Sequence, residues 1–182
     1  MKYLIASDLH GSIHYTNILI NRFNDENAQK LVLLGDLYYH GPRNPLPLDY
    51  STMECAMLLN QYKDNIIAVR GNCDAEVDQM ISDFRFIPYY ELDINGKKIF
   101  LSHGHLYNQK NHPETDFHIL IYGHEHTGYI IQDNNKVYIN TGSVSLPKNN
   151  TPHSYILIDD NTIFLKELQT KNIINKIFIG DK

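Results

Sequence analysis

The chain alternates short apolar runs with amphipathic stretches and changes character near its middle. Residues 2–7 form a brief apolar run that stops at the polar turn Asp8-Leu9-His10-Gly11-Ser12, as a buried strand does. Ile18, Leu19, Arg22 and Phe23 recur at helical spacing and predict a helix over about residues 14–23. Residues 31–34 predict a second strand, ended by Gly35-Asp36, and the proline-rich stretch 41–47 that follows is too rigid for an element interior. Ser51 predicts the start of a second helix with a capping box, because Glu54 stands three residues on and Met57 and Leu58 come behind it. Residues 66–69 predict a third strand, followed by Arg70-Gly71-Asn72-Cys73-Asp74. This order of strands and helices points to parallel pairing through crossover helices.

In the second half, runs 89–94 and 97–101 flank Asn95-Gly96, a strong hairpin signal. Another apolar run, 117–122, ends at Gly123-His124-Glu125-His126. Runs 129–132 and 136–139, then 154–158 and 162–165, are separated by Asp/Asn turns and predict a meander of antiparallel strands. The whole reads as an α/β protein: a single-domain, four-layer sandwich over residues 1–182, with two mixed sheets face to face and helices outside.

Composition narrows the function. At 182 residues the length suits one domain, and the two cysteines, Cys55 and Cys73, exclude a disulfide scaffold and point to a reducing compartment. No run approaches the roughly 20 apolar residues of a membrane span, and the first is too short for a signal peptide. A soluble, cytoplasmic protein without membrane contact is expected. Sixteen Lys/Arg against 21 Asp/Glu, net charge -5, with no basic cluster, argue against stable nucleic-acid binding. Ten histidines are present, and six of them (His103, His105, His112, His118, His124, His126) fall in one short stretch.

Five segments place metal-capable side chains where an apolar run ends: Asp8-Leu9-His10, Gly35-Asp36, Gly71-Asn72-Cys73-Asp74, Ser102-His103-Gly104-His105 and Gly123-His124-Glu125-His126. Loops at the carboxyl ends of strands converge in open α/β sheets. Pairs at i and i+2, Asp8/His10 and His124/His126, are expected to reach one centre by strand alternation. Singly, each of these residues reads as a cap, a turn residue or a surface histidine. Together, Asp8, His10, Asp36, Asn72, His103, His124 and His126 exceed one tetrahedral zinc site and suit two metals sharing a carboxylate.

The ordered set Asp-x-His, Gly-Asp, Gly-Asn-x-Asp, His-Gly-His and Gly-His-x-His resembles the calcineurin-like metallophosphoesterase superfamily. Stretches 41–47, 68–74, 76–80 and 142–148 are similar to a bacterial phosphodiesterase branch of it, and the resemblance spans about residues 1–179. It implies Asp8, His10 and His126 on one metal, Asn72, His103 and His124 on a second, and Asp36 bridging both. It implies two divalent ions, commonly manganese, with zinc, iron, cobalt or nickel as alternatives. The implied activity is phosphodiester hydrolysis by in-line attack of a metal-bridging hydroxide on a small phosphoester, in a homo-oligomer. A phosphomonoesterase and a non-catalytic protein-binding scaffold of the same fold are the alternatives. Asp36, Asn72, His103 and Cys73 are the candidate catalytic residues, with Arg43 and His105 as candidate substrate contacts. The chain departs from many superfamily members in having Cys73 where a histidine follows the motif asparagine. It also has Thr141 where proline is frequent, in a loop expected to support the histidines.

Overall fold

The computed structural model describes residues 1–180; positions 181 and 182 of the expected domain lie outside the described residues. Among the described residues, two mixed sheets and three helices make up the architecture. The first half runs β1 (Tyr3–Ala6), α1 (Ile13–Asp25), β2 (Lys30–Leu33), α2 (Thr52–Asn60), β3 (Ile66–Val69), α3 (Glu76–Met80) and β4 (Phe86–Ile87). The second runs β5 (Tyr90–Ile94), β6 (Lys97–Leu101), β7 (Ile119–Tyr122), β8 (Gly128–Asp133), β9 (Lys136–Thr141), β10 (Ser154–Asp159), β11 (Thr162–Glu167) and β12 (Ile173–Phe178). The seven-stranded sheet has the order β12-β11-β10-β1-β2-β3-β4 and the five-stranded sheet β5-β6-β7-β9-β8.

The sheets meet over Ile5, Val32, Leu34 and Val69 on one side and Ile99, Leu101, Ile121 and Ile139 on the other. α1 and α2 cover the outer face of the larger sheet through Leu19, Ile20, Phe23, Cys55, Ala56 and Leu59. The outer face of the smaller sheet carries Phe100, Leu120, Tyr122 and Tyr138, and here the covering layer is irregular chain: Tyr107 and Phe117, from the 102–118 segment, pack onto it. Parallel pairing of β1, β2 and β3 follows the expected crossovers. Asn95 and Gly96 both take left-handed φ, 52° and 80°, closing the β5–β6 hairpin in the anticipated register.

Two expectations are corrected. The second half is no simple meander: β7 pairs in parallel with both β6 and β9, while β10 and β11 cross to the larger sheet beside β1. Ser51 sits at the start of α2 without a side-chain cap hydrogen bond, so no capping box forms. The buried positions of that helix are Cys55, Ala56 and Leu59, with Leu58 partly buried against the core and Met57 exposed.

Candidate metal centre

The loops leaving β1, β2, β3, β6 and β7 meet at one end of the sandwich. Within the larger sheet, Asp8 N–H donates to Gly35 O (3.1 Å) and His10 N–H to Asp36 O (2.9 Å). Between sheets, His124 N–H donates to Asp8 Oδ2 (2.9 Å) and His103 Nδ1 to Leu34 O (2.7 Å). The approach is too close for side chains at two points. A Cβ on Gly71 would overlap the Asp36 carboxylate, and one on Gly123 would stand 2.7 Å from Asp8 Oδ2.

Asp8, His10, Asp36, His124 and His126 all have positive φ, from 47° to 66°. Non-glycine residues enter that region at a steric cost, and such strain persists where the surroundings over-determine it. The convergence of Asp8 with His10 therefore comes from left-handed turns and not from strand alternation. Strand alternation does not bring His124 and His126 to one centre either: they contact different partners, His103 and His10 respectively.

His126 Nε2 lies 3.2 Å from His10 Nε2 and 3.3 Å from Asp8 Oδ1; His10 Nε2 is 3.6 Å from the same oxygen. His124 Nδ1 instead lies 3.2 Å from His103 Nε2, which is 3.0 Å from Asn72 Oδ1. Asp36 stands between the clusters, with Oδ2 3.9 Å from His10 Nε2 and Oδ1 3.4 Å from His103 Nε2.

These contacts set acceptor against acceptor. The Nδ1 atoms of His10, His103 and His126 donate to the carbonyls of Tyr39 (2.7 Å), Leu34 (2.7 Å) and Leu146 (2.6 Å), which leaves each Nε2 with a bare lone pair. Buried Asp8 Oδ1 has no hydrogen-bond partner among the described residues. Donors around one ion at about 2.1 Å stand roughly 3.0–3.4 Å apart, close to the spacings here, so the residues fit divalent cations. Burial pushes the Asp8 carboxyl up, but His10 and His126 outweigh it and hold it well below the usual carboxylate range. His10 is raised in turn, since Asp8 outweighs its burial, whereas burial and the neighbouring His103 lower His124.

Residues outside the candidate ligand set hold this geometry. Asp74 accepts from the N–H groups of Asp36 (2.8 Å), Leu37 (2.8 Å) and Gly71 (2.7 Å), fixing the turn that presents Asp36. Ser143 and Ser145 both donate to Asp8 O, at 2.8 and 3.0 Å. Ser143 Oγ also accepts from Leu146 N–H (2.9 Å), whose carbonyl orients His126. Asn140 Nδ2 donates to Gly123 O (2.7 Å), one residue before His124. The Thr141 loop is thus a brace for both histidines, as its small residues suggested.

A cleft of about 880 Å³ opens on the centre, lined among others by Asp36, Asn72, Cys73, His124 and His126, with Arg43 and also Tyr39, Glu125 and Lys148. The last three were not anticipated, because nothing local marks them. Burial, then the Asp36 carboxylate, pushes the Cys73 thiol up to about 12, so it is neutral. His105 is exposed and outside the cleft lining, its ring 5.3 Å from that of His103.

A two-sheet sandwich with histidines, carboxylates and an asparagine gathered at its strand ends defines a phosphoesterase architecture. The chain belongs to the calcineurin-like phosphoesterase superfamily, whose domain matches residues 1–162. Phosphodiesterase YfcE of Escherichia coli (strain K12) is 40% identical over 182 residues, covering 99% of each chain. The solved structure of YfcE, a phosphoesterase from E. coli, superposes with a TM-score of 0.95 at 39% identity, over 99% of this chain and 100% of that one. Vacuolar Protein Sorting 29 from Cryptosporidium parvum shares the fold alone, with a TM-score of 0.62 at 17% identity over 97% of each chain.

Proposed function

We propose that the protein is a phosphodiesterase that works with two divalent ions, Asp8, His10 and His126 holding one, Asn72, His103 and His124 the other, and Asp36 serving both. The carrying observation is the pair of acceptor clusters on either side of one carboxylate, with Asp8 Oδ1 left without a donor. The full-length likeness to Phosphodiesterase YfcE supports the diester as the substrate class. Bound there, such ions supply Lewis acidity, bringing the pKa of water toward neutrality and offsetting charge on phosphoryl oxygens, with manganese the expected metal.

The chain's own residues preorganise the rest. Carbonyl partners fix three imidazole rings, so little reorganisation accompanies attack on phosphorus in line with the leaving oxygen. Asn72 and His103 flank the reacting group, Arg43 faces the substrate from the cleft wall, and His105 backs His103. Cys73 lines the cleft as a thiol; it offers the leaving group a weak proton donor, which favours aryl over alkyl esters. The complete donor set disfavours the scaffold reading, since the fold alone decides no activity. Two free cysteines are consistent with a cytoplasmic setting. Among the described residues no helix is long and apolar enough to cross a membrane. For the expected homo-oligomer, the tyrosine- and proline-rich loops, with Tyr39, Leu46, Leu48 and Tyr50 exposed, are the candidate contact.

The test is hydrolysis of a chromogenic aryl phosphodiester with added manganese, beside Asp36→Asn and with metal content measured. Chelation abolishes turnover and manganese restores it, and the variant loses about 10³-fold or more in kcat together with bound metal. An Asp36→Asn protein that keeps both rate and metal overturns the shared-carboxylate assignment.

A further inference from the structure

The cleft holds two cations that the ligand clusters do not explain. Arg43 and Lys148 line the same 880 Å³ space as Asp36, Asn72 and His126, and neither enters an ion pair among the described residues. Both are anchored through their own backbone surroundings. The Arg43 loop is pinned by Asn44 Nδ2, which donates to His40 O (2.8 Å), and Gly41 packs against Cys73, where a Cβ would come within 3.3 Å of Sγ. Lys148 N–H donates to His126 O (2.8 Å), and Thr151 Oγ1 donates to Lys148 O (2.8 Å). The backbone of one basic residue therefore stands at the Asn72–Cys73 end of the centre and that of the other at the His126 end, both with exposed side chains. Of the lining carboxylates, Asp36 is buried between the clusters, and Glu125 accepts the Tyr129 hydroxyl at 2.9 Å.

A phosphodiester at the centre brings one negative charge, which the centre itself meets, and a single phosphate fills a small part of this cleft. In a chain of net charge -5, two basic residues on either side of an anion-processing site, without acidic partners among the described residues, mark a place for further negative charge. Guanidinium matches phosphate oxygens as a two-pronged fork, and ammonium adds a point charge. We propose that the substrate carries a second phosphate beyond the scissile diester, held by Arg43 and Lys148. The inference rests on the phosphodiesterase reading above and adds the substrate class.

Two chromogenic esters that differ by one phosphate test it: the p-nitrophenyl ester of thymidine 5′-phosphate and the same ester bearing a 3′-phosphate. The manganese-loaded enzyme is expected to prefer the 3′-phosphorylated ester by about tenfold or more in kcat/KM, chiefly through KM, with the preference shrinking at high salt. In an Arg43→Ala/Lys148→Ala protein the ratio falls toward unity. Equal kcat/KM for the two esters in the unaltered enzyme overturns the proposal, and a preference that survives the double substitution overturns the role of these residues. Calorimetry supplies an arm that needs no turnover: thymidine 3′,5′-bisphosphate should bind more tightly than thymidine 5′-phosphate, and the variant should lose the difference. If neither ester is hydrolysed, the phosphodiesterase reading fails; equal affinity of the two nucleotides then removes the second-phosphate site as well.

Discussion

The two candidate ligand clusters are built to different degrees of closure. Asp8, His10 and His126 are 0%, 0% and 3% exposed, whereas on the other side of Asp36 only His103 is so enclosed, with Asn72 exposed and His124 half-buried. The enclosed cluster is braced from the 140–146 loop, through two serine hydroxyls on Asp8 O and a carbonyl on His126. The open cluster borders the cleft and draws one member from an exposed asparagine. Enclosure slows exchange with water and strengthens electrostatics, while openness admits a reacting group. On the two-ion reading, the enclosed cluster is the retained site and the open one meets the substrate.

Breaking the enclosed cluster has the largest expected effect. Asp8→Ala removes a buried carboxylate and leaves two facing imidazole lone pairs uncompensated. Turnover should fall by about 10³-fold or more, with one ion per chain lost in elemental analysis. Retention of both ions would erase the distinction between the clusters. Ser143→Ala sharpens the comparison, because it deletes a brace without touching a ligand atom. Metal affinity at the enclosed cluster should weaken by about 10–100-fold while the open cluster keeps its own, read as two separated transitions in a metal titration; Ser143→Thr, which keeps the hydroxyl, should restore it. Equal weakening at both clusters would show a general loss of structure instead. The smallest effect lies at the open side: Cys73→His supplies a stronger proton donor and should raise the alkyl-to-aryl ratio of turnover by about tenfold. An unchanged ratio would remove Cys73 from leaving-group departure.

Legibility in the sequence followed the range of the physics. The Asn95-Gly96 hairpin was readable because two left-handed residues in succession are a local requirement that these residue types meet. The strands β1, β2 and β3 were readable as short apolar runs, and each candidate ligand stood directly behind such a run or another like it. β12 was not readable: most of its residues are exposed, so no burial pattern marks it, and it holds its place by pairing with β11. The 102–118 layer was hidden for a related reason, since Tyr107 and Phe117 acquire meaning only from the sheet face that they cover. Ser143 and Asp74 look like ordinary turn residues, and their partners lie up to 135 residues away.

By itself the sequence determined which residues were available as ligands, and that they would lie at strand ends, because apolar runs and the turns that stop them are set by near neighbours. How those residues divide is written in no local pattern: the family resemblance implies a division, and the tertiary structure supplies its physical cause. His124 and His126 are two positions apart and serve different clusters, because each sits in a left-handed turn held by contacts from distant chain: His124 N–H on Asp8 Oδ2, 116 residues away, and His126 Nδ1 on Leu146 O. A backbone conformation that costs energy locally persists where remote hydrogen bonds stabilise it, and no local pattern of residues reports where those bonds will fall.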